Sequence, residues 1–202
     1  MAMSDLVDQK LHEWTHGEEP REARITIYYN IRNIPYTAIP ELREPQRYYE
    51  VLRLNAGSCT PKHILLGKMY EKIGLEVLYA VYPFRWEDFT PIYPENLRRL
   101  AEDMPEANHL ACRINIDGKL TLVDATLDLP LGGAGFPVNQ KWDGMRDTIL
   151  AVNPCGEEEL YDSSEIFTAQ SRPLDDKSLT FYNALNVWLK QLREQITSIG
   201  AP

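Results

Sequence analysis

The sequence predicts an α+β fold in which helices pack on an antiparallel sheet. Three observations carry that expectation. Helical apolar spacing dominates as far as Gly74, two alternating runs flank the pair Asp117-Gly118, and an amphipathic stripe closes the chain from about Leu179 to Ile199. Helices gathered ahead of the strands, rather than alternating with them, argue against a parallel α/β sheet.

The 202 residues are 44% hydrophobic and 25% charged, enough for one generous core. A single domain over 1–202 is expected, with its core at about 21–160, an N-terminal helix in 1–17 and a C-terminal helix over 179–199. A net charge of −9 offers no broad basic field to a phosphate backbone, so nucleic acid is not an expected partner. No stretch is long and apolar enough to cross a bilayer, and a membrane partner is not expected either. Cys59, Cys112 and Cys155 are odd in number and widely spaced, which fits neither a disulfide framework nor a thiolate zinc site. A reducing, cytoplasmic setting is expected, without cofactor or metal.

Taken in order, Ser4 to His16 reads as a helix capped by Ser4, with Val7, Leu11 and Trp14 on one face and Gly17 ending it. It contains His12-Glu13-Trp14-Thr15-His16, the spacing of H-E-x-x-H zinc sites. At ~100° per residue the two histidines point roughly 150° from the apolar stripe. That turns them to solvent rather than into a cleft. A second helix starts at Pro20, buries Ala23, Ile27, Ile31 and Ile34, and stops at Pro35. "EPQRYYEVLRL" reads as a third, and the tyrosine pairs 28/29 and 48/49 as core edge. A fourth begins at Cys59, with Pro61 in its first turn, Ile64, Leu65, Met69 and Ile73 for burial, and Gly74 at its end.

"LEVLYAVYPF" is a predicted strand running out at Pro83, followed by an irregular aromatic loop and a short helix, "ENLRRLAEDM". "NHLACRINIDGKLTLVDATLDL" is a hairpin turning at Asp117-Gly118. The glycine-rich run around Gly132–Gly135 reads as loop, "DTILAVNP" as a strand, and "GEEELYD" as a solvated acidic turn.

Chemistry enters at Cys59. A thiol at a helix start meets unpaired N–H groups and the positive end of the helix dipole, both of which favour thiolate. The hairpin can supply its partners. If Asp117-Gly118 is the turn, Ile116 faces Lys119, His109 faces Thr126 and Ala111 faces Asp124, which brings Asp124 diagonally beside His109. A carboxylate there fixes the imidazole tautomer and stabilises its cation. Cys112, of opposite parity, lies on the other face from His109, and Cys155 has no helix start. His63, one turn after Cys59, is a rival base without an evident acidic partner.

These blocks resemble the transglutaminase-like superfamily, which shares the papain-like cysteine fold. "GSCTPKHILLGKMYEKIGLEV" is similar to its G-x-C block, "NHLACRINIDGKLTLVDATLD" to its His-to-Asp hairpin, and "IYYNIRNIPYT" to the helix before them, with Asn33 where relatives carry an acid. The resemblance implies that Cys59 is the nucleophile, His109 the general base and acid, and Asp124 the orienting carboxylate. It implies a thiol-dependent amide-bond hydrolase or acyltransferase acting on a peptide or protein amide. Gly57, Ser58 and Trp86 are the expected substrate contacts, with Phe84, Phe89 and the glycine loop as walls. Where relatives place an aromatic shortly after the histidine, this chain has Leu110, Ala111 and Cys112. It also lacks the extra β domains of calcium-dependent transglutaminases, so calcium-driven cross-linking is not expected. The competing readings are a non-catalytic peptide-binding module on the same scaffold and a zinc hydrolase using His12, Glu13 and His16.

Overall fold

The computed structural model describes residues 3–89, 93–168 and 173–199. Its elements in chain order are α1 (Met3–Thr15), α2 (Pro20–Asn33), α3 (Glu50–Leu54), α4 (Cys59–Lys72), β1 (Val77–Phe84), α5 (Glu95–Glu102), β2 (Ala107–Ile116), β3 (Lys119–Val123), β4 (Glu159–Tyr161), α6 (Ser163–Thr168) and α7 (Asp176–Ile199). The strands form one antiparallel sheet in the order β3-β2-β1-β4. The architecture is therefore α+β.

The helices form where their apolar spacing gives them something to bury. Ala23, Ile27, Ile31 and Ile34 are all buried on or beside α2, as the i, i+4 pattern requires. The three isoleucines join Leu65, Leu66 and Met69 of α4 and Tyr79, Cys112 and Ile114 of the sheet in one core. A second core, built from Trp86, Leu97, Phe136, Phe181, Leu185 and Leu189, packs α7 and α5 over the aromatic loop. Gly67 lets α4 lie close against the sheet, since a Cβ there would sit 2.8 Å from Tyr79 Cζ. The hairpin turns with φ of 52° at Asp117 and 83° at Gly118, and its first pair is Ile116 with Lys119.

Several local expectations are corrected. β1 continues through Pro83 to Phe84. Pro83 opposes Asn108 of β2, while its carbonyl turns to the other edge and accepts the Cys155 N–H at 2.8 Å; the proline's missing donor falls beyond the last β1–β4 pair, so no ladder bond is lost. The run 45–54 is a single 3₁₀ turn, Pro45–Arg47, followed by the short α3 rather than one helix. "DTILAVNP" forms no strand, because its amides are spent singly: Thr148 N–H on the Leu122 carbonyl, Ile149 N–H on Asn139 and Ala151 N–H on Asp124. The acidic run does hold a strand, β4, on the open edge of β1. The Ser4 side chain lies outside the described residues. No helix among the described residues is long and apolar enough to cross a membrane.

Candidate functional site

The site forms where β3 ends. The β2–β3 ladder stops at the pair Cys112–Val123, leaving the upper end of β2 without a neighbour on that side. The Asn115 N–H points to Glu76, next to β1, so the odd-numbered β2 amides face β1 and the even-numbered ones face β3. The Leu110 N–H is therefore aimed at the missing strand. The start of α4 fills the gap and brings the Cys59 sulfur near the Leu110 N–H, which helps to lower its pKa. This is how a histidine on one face of the sheet meets a thiol from a helix that packs on the other.

Cys59 is held there by its own approach. Gly57 donates its N–H to the Pro35 carbonyl and accepts the Thr37 N–H, forming a short parallel bridge with Tyr36. Tyr36 is fixed in turn by Asp128 and Arg193: its N–H donates to Asp128 Oδ1 at 2.8 Å and its carbonyl accepts from Arg193 Nη2 at 2.9 Å. Arg193 closes a bidentate ion pair on Asp128 at 2.6 and 2.7 Å, tying α7 to the loop. Ser58 then occupies the N-cap position of α4 with extended backbone and no side-chain cap. Pro61 removes one first-turn N–H and leaves those of Cys59 and Thr60 at the helix start.

His109 is buried and its Nε2 donates to Asp124 Oδ2 at 2.8 Å. That leaves Nδ1 for the thiol. Asp124 Oδ2 also accepts the Ala151 N–H at 2.8 Å, and Oδ1 accepts the Thr126 N–H at 2.9 Å. Burial works against ionising each member of the trio, yet their mutual contacts win. Burial raises the Asp124 carboxyl, but the charge and hydrogen bond of His109, with the charge of His63 and the Thr126 side chain, hold it well below the usual carboxylate range. Burial lowers the His109 imidazolium, but Asp124 and Cys59 hold it up at about 10. Burial raises the Cys59 thiol, but the hydrogen bond and charge of His109 and the Leu110 N–H bring it below its ordinary value. The arrangement favours a thiolate beside an imidazolium over either charge alone.

Cys59 and His109 open into a cavity of about 680 Å³. Its walls include Tyr36, Phe84, Trp86, Phe89 and Tyr182, with Ser58, Asn108 and Thr126 near the trio. The indole N–H of Trp86 is buried near the Tyr182 hydroxyl and makes no hydrogen bond among the described residues. Thr126 Oγ1 is likewise buried without a partner among the described residues.

The structure brings Cys59, His109 and Asp124 into one chain of contacts and puts Ser58 and Trp86 on the cavity wall. Gly57 it does not: both of its backbone groups are used in the bridge, and a Cβ there would meet Val51 Cγ2 at 2.9 Å, so its role is a close turn behind the nucleophile. The Gly132–Gly135 loop also falls outside the cavity and packs as a 3₁₀ turn against α7. Cys112 is fully buried with its thiol on the His63 carbonyl at 3.3 Å, and burial pushes its pKa up. Cys155 is exposed. His12 on α1 and His16 just past its end stand exposed with ring centroids 4.8 Å apart, and among the described residues no group of three His, Cys, Asp or Glu could hold a metal ion.

His63 is not free to act as a base. Its Nδ1 faces the Cys59 carbonyl at 2.9 Å and must donate, while Nε2 accepts the Ala125 N–H at 2.9 Å. Burial pulls its pKa down to about 4, which keeps it neutral in that tautomer. Sequence reasoning missed Lys62 altogether. It is fully buried, and its Nζ donates to the carbonyls of Arg32, Ile34 and Thr126 at 3.1, 2.8 and 2.7 Å. Burial draws its pKa down to about 7 against the pull of Asp128 and Asp124, yet three carbonyl acceptors use all three protons of an ammonium, so the geometry is that of the cation.

No family model and no curated protein matches this chain. Among solved structures it is similar to one described as a "putative cysteine protease" from Cytophaga hutchinsonii, at 19% identity and a TM-score of 0.43, over 65% of this chain and 40% of that one. The chain thus spans less than half of that protein's length, and a likeness at this level carries no argument about activity.

Proposed function

We propose that the protein is a cysteine-dependent amide-bond hydrolase or acyltransferase of the transglutaminase-like type, with Cys59 as nucleophile, His109 as general base and acid, and Asp124 as the orienting carboxylate. The observation that carries this reading is the continuous contact from a helix-start thiol through a buried imidazole to a carboxylate at 2.8 Å, opening on a cavity. A peptide-binding module has no use for a thiolate–imidazolium pair, whose members are each disfavoured by burial and persist only through one another.

In the reaction so read, the Cys59 thiolate attacks the carbonyl carbon of a bound amide, and the C=O electron pair moves onto oxygen. The N–H groups at the start of α4 face that oxyanion. The tetrahedral intermediate collapses, the C–N bond breaks, and the amine leaves with the proton from His109 Nδ1. A thioester remains on Cys59. Water or a second amine then loses a proton to Nδ1 and attacks the thioester, releasing acid or new amide and restoring the thiolate. Asp124 keeps the proton of Nε2 throughout and holds the ring in the tautomer this needs.

The test is the pH dependence of Cys59 alkylation by iodoacetamide, mapped by peptide mass spectrometry. Labelling that is already near its plateau at pH 7 and much faster than that of Cys155 supports the reading. Labelling of Cys59 no faster than of Cys155 at every pH overturns it.

A further inference from the structure

We propose that Lys62 and His63 are positioning residues for the trio, a pair of consecutive α4 side chains that grip the backbone after Asp124 and set where its carboxylate stands relative to Cys59. The inference rests on the functional reading above. Its ground is the accounting of backbone hydrogen bonds where β3 ends. Beyond Val123 the ladder no longer supports the chain. The Asp124 N–H goes to Thr148 Oγ1, the Ala125 N–H to His63 Nε2, the Thr126 N–H back to Asp124 Oδ1, and the Thr126 carbonyl to Lys62 Nζ. The Asp124 carbonyl accepts from the Tyr28 hydroxyl at 3.3 Å, and two of these five bonds come from α4, within four residues of the nucleophile.

The consequence is geometric. His63 holds the Cys59 carbonyl with one ring nitrogen and the Ala125 amide with the other, so one planar ring spans nucleophile and acid. Lys62 adds a second tie and extends it to α2, whose terminal carbonyls at Arg32 and Ile34 it also caps. A leucine or methionine at 62 would fill the same volume but leave three buried carbonyls without a donor. A rigid helix thus carries the thiol and both ties, which keeps the Asp124–His109–Cys59 alignment within the tolerance that such chemistry demands.

Three variants separate positioning from plain stability and from plain charge. Lys62→Met removes the donors, His63→Leu removes both ring contacts, and His63→Gln retains a donor and an acceptor. The readouts are the pH profile of Cys59 alkylation and the titration of the His109 ring by NMR. Positioning predicts that Lys62→Met and His63→Leu let His109 fall toward an ordinary imidazole, slow labelling at pH 6 by tenfold or more, and that His63→Gln restores much of the rate. If Lys62 acted only through its charge, its removal would push His109 upward, the opposite sign. Folded variants with the wild-type profile, or an upward shift in Lys62→Met, overturn the proposal. Should the variants not fold, the wild-type protein decides through its His63 ring nitrogens: a neutral Nδ1–H tautomer unchanged from pH 5 to 9 is expected, and a His63 that titrates with an ordinary midpoint overturns the clamp. An unactivated Cys59 in the wild type would sink the functional reading alone, because the His63 tautomer is measured independently of it.

Discussion

Replacing Asp124 by asparagine tests the trio with the smallest change of shape. An imidazolium held at about 10 rather than the ordinary 6.5 is stabilised by about 5 kcal/mol, drawn from Asp124 and Cys59 together. Asparagine removes the charge and cannot satisfy the old contacts. Its oxygen is wanted by the Thr126 N–H on one side and by both the Ala151 N–H and His109 on the other. With the oxygen toward Thr126, the amide NH₂ meets His109 Nε2 and forces that nitrogen to accept. The ring proton then moves to Nδ1, toward the thiol, where a base is needed. Burial without the carboxylate takes His109 below its ordinary value, and Cys59, without its cation, returns to 9.0 or above. Thiolate at pH 7 falls to about 1% or less, so alkylation of Cys59 is expected to slow by about a hundredfold and turnover of an amide substrate by about 10⁴. The assay is iodoacetamide labelling from pH 4 to 9 in wild type and Asp124→Asn, with circular dichroism to confirm that both are folded. Labelling of the variant within threefold of wild type at pH 7 refutes the argument.

Three further outcomes follow from the same contacts. His63 sits at about 4 in the folded chain against 6.5 unfolded, so the folded state binds fewer protons between those values; the stability this carries is complete above pH 6.5 and is lost as pH falls toward 4. Between pH 7 and 4.5 the His63 share of the stability falls by about 2 kcal/mol, offset in part by His109, whose raised pKa adds stability as pH falls; in urea unfolding the loss from pH 7 to 4.5 should therefore be about 2 kcal/mol larger in wild type than in His63→Gln, and equal slopes contradict the assignment. Arg193→Met leaves Asp128 buried without its guanidinium partner, and is expected to lower stability by about 3–5 kcal/mol, while the double change Asp128→Asn, Arg193→Met recovers part of it; thermal melts showing additive losses would refute the coupling. Gly67→Ala sets a methyl 2.8 Å from Tyr79 Cζ between α4 and β1, both fully buried at that point, and should cost about 1–3 kcal/mol, with partial relief by Tyr79→Phe. A neutral melting temperature in Gly67→Ala would show that α4 can lift from the sheet.

Two features of the site could be read from the sequence because they depend on local rules. The positive φ available at Asp117 and Gly118 fixes one turn and the turn fixes the pairing of Ile116 with Lys119, which puts His109 and Asp124 on one face; the expected pairs Ala111–Asp124 and His109–Thr126 do not form, because the ladder ends at Cys112–Val123 and the Asp124 N–H turns to Thr148. A thiol at the first residue of a helix is equally local. The junction between them was not readable, since it depends on a strand stopping at Val123 and a helix end entering the space; neither event has a residue pattern of its own.

The same limit hid Lys62. In "CTPKHILL" a lysine one turn into a helix reads as a solvated charge, because lysine is almost never fully buried without a partner. Its partners are carbonyls of Arg32, Ile34 and Thr126, from two segments that no spacing rule connects to position 62. Carbonyls carry no side-chain signature, so a cation recruited to cap them is invisible until the chain is folded. His63 was misjudged for a related reason. Judged by reach, a histidine four residues from a cysteine is a candidate base; its function is decided by what its two nitrogens touch. Because one faces a carbonyl and the other an amide N–H, its tautomer is fixed and its proton cannot be exchanged without breaking a backbone contact. Both rings, 6.0 Å apart, stand near Asp124, His109 Nε2 at 2.8 Å from Oδ2 and His63 Nε2 at 3.5 Å from Oδ1, but His63 has both nitrogens on backbone groups while His109 keeps one for the thiol, which is what supports His109 as the base in the proposed reading.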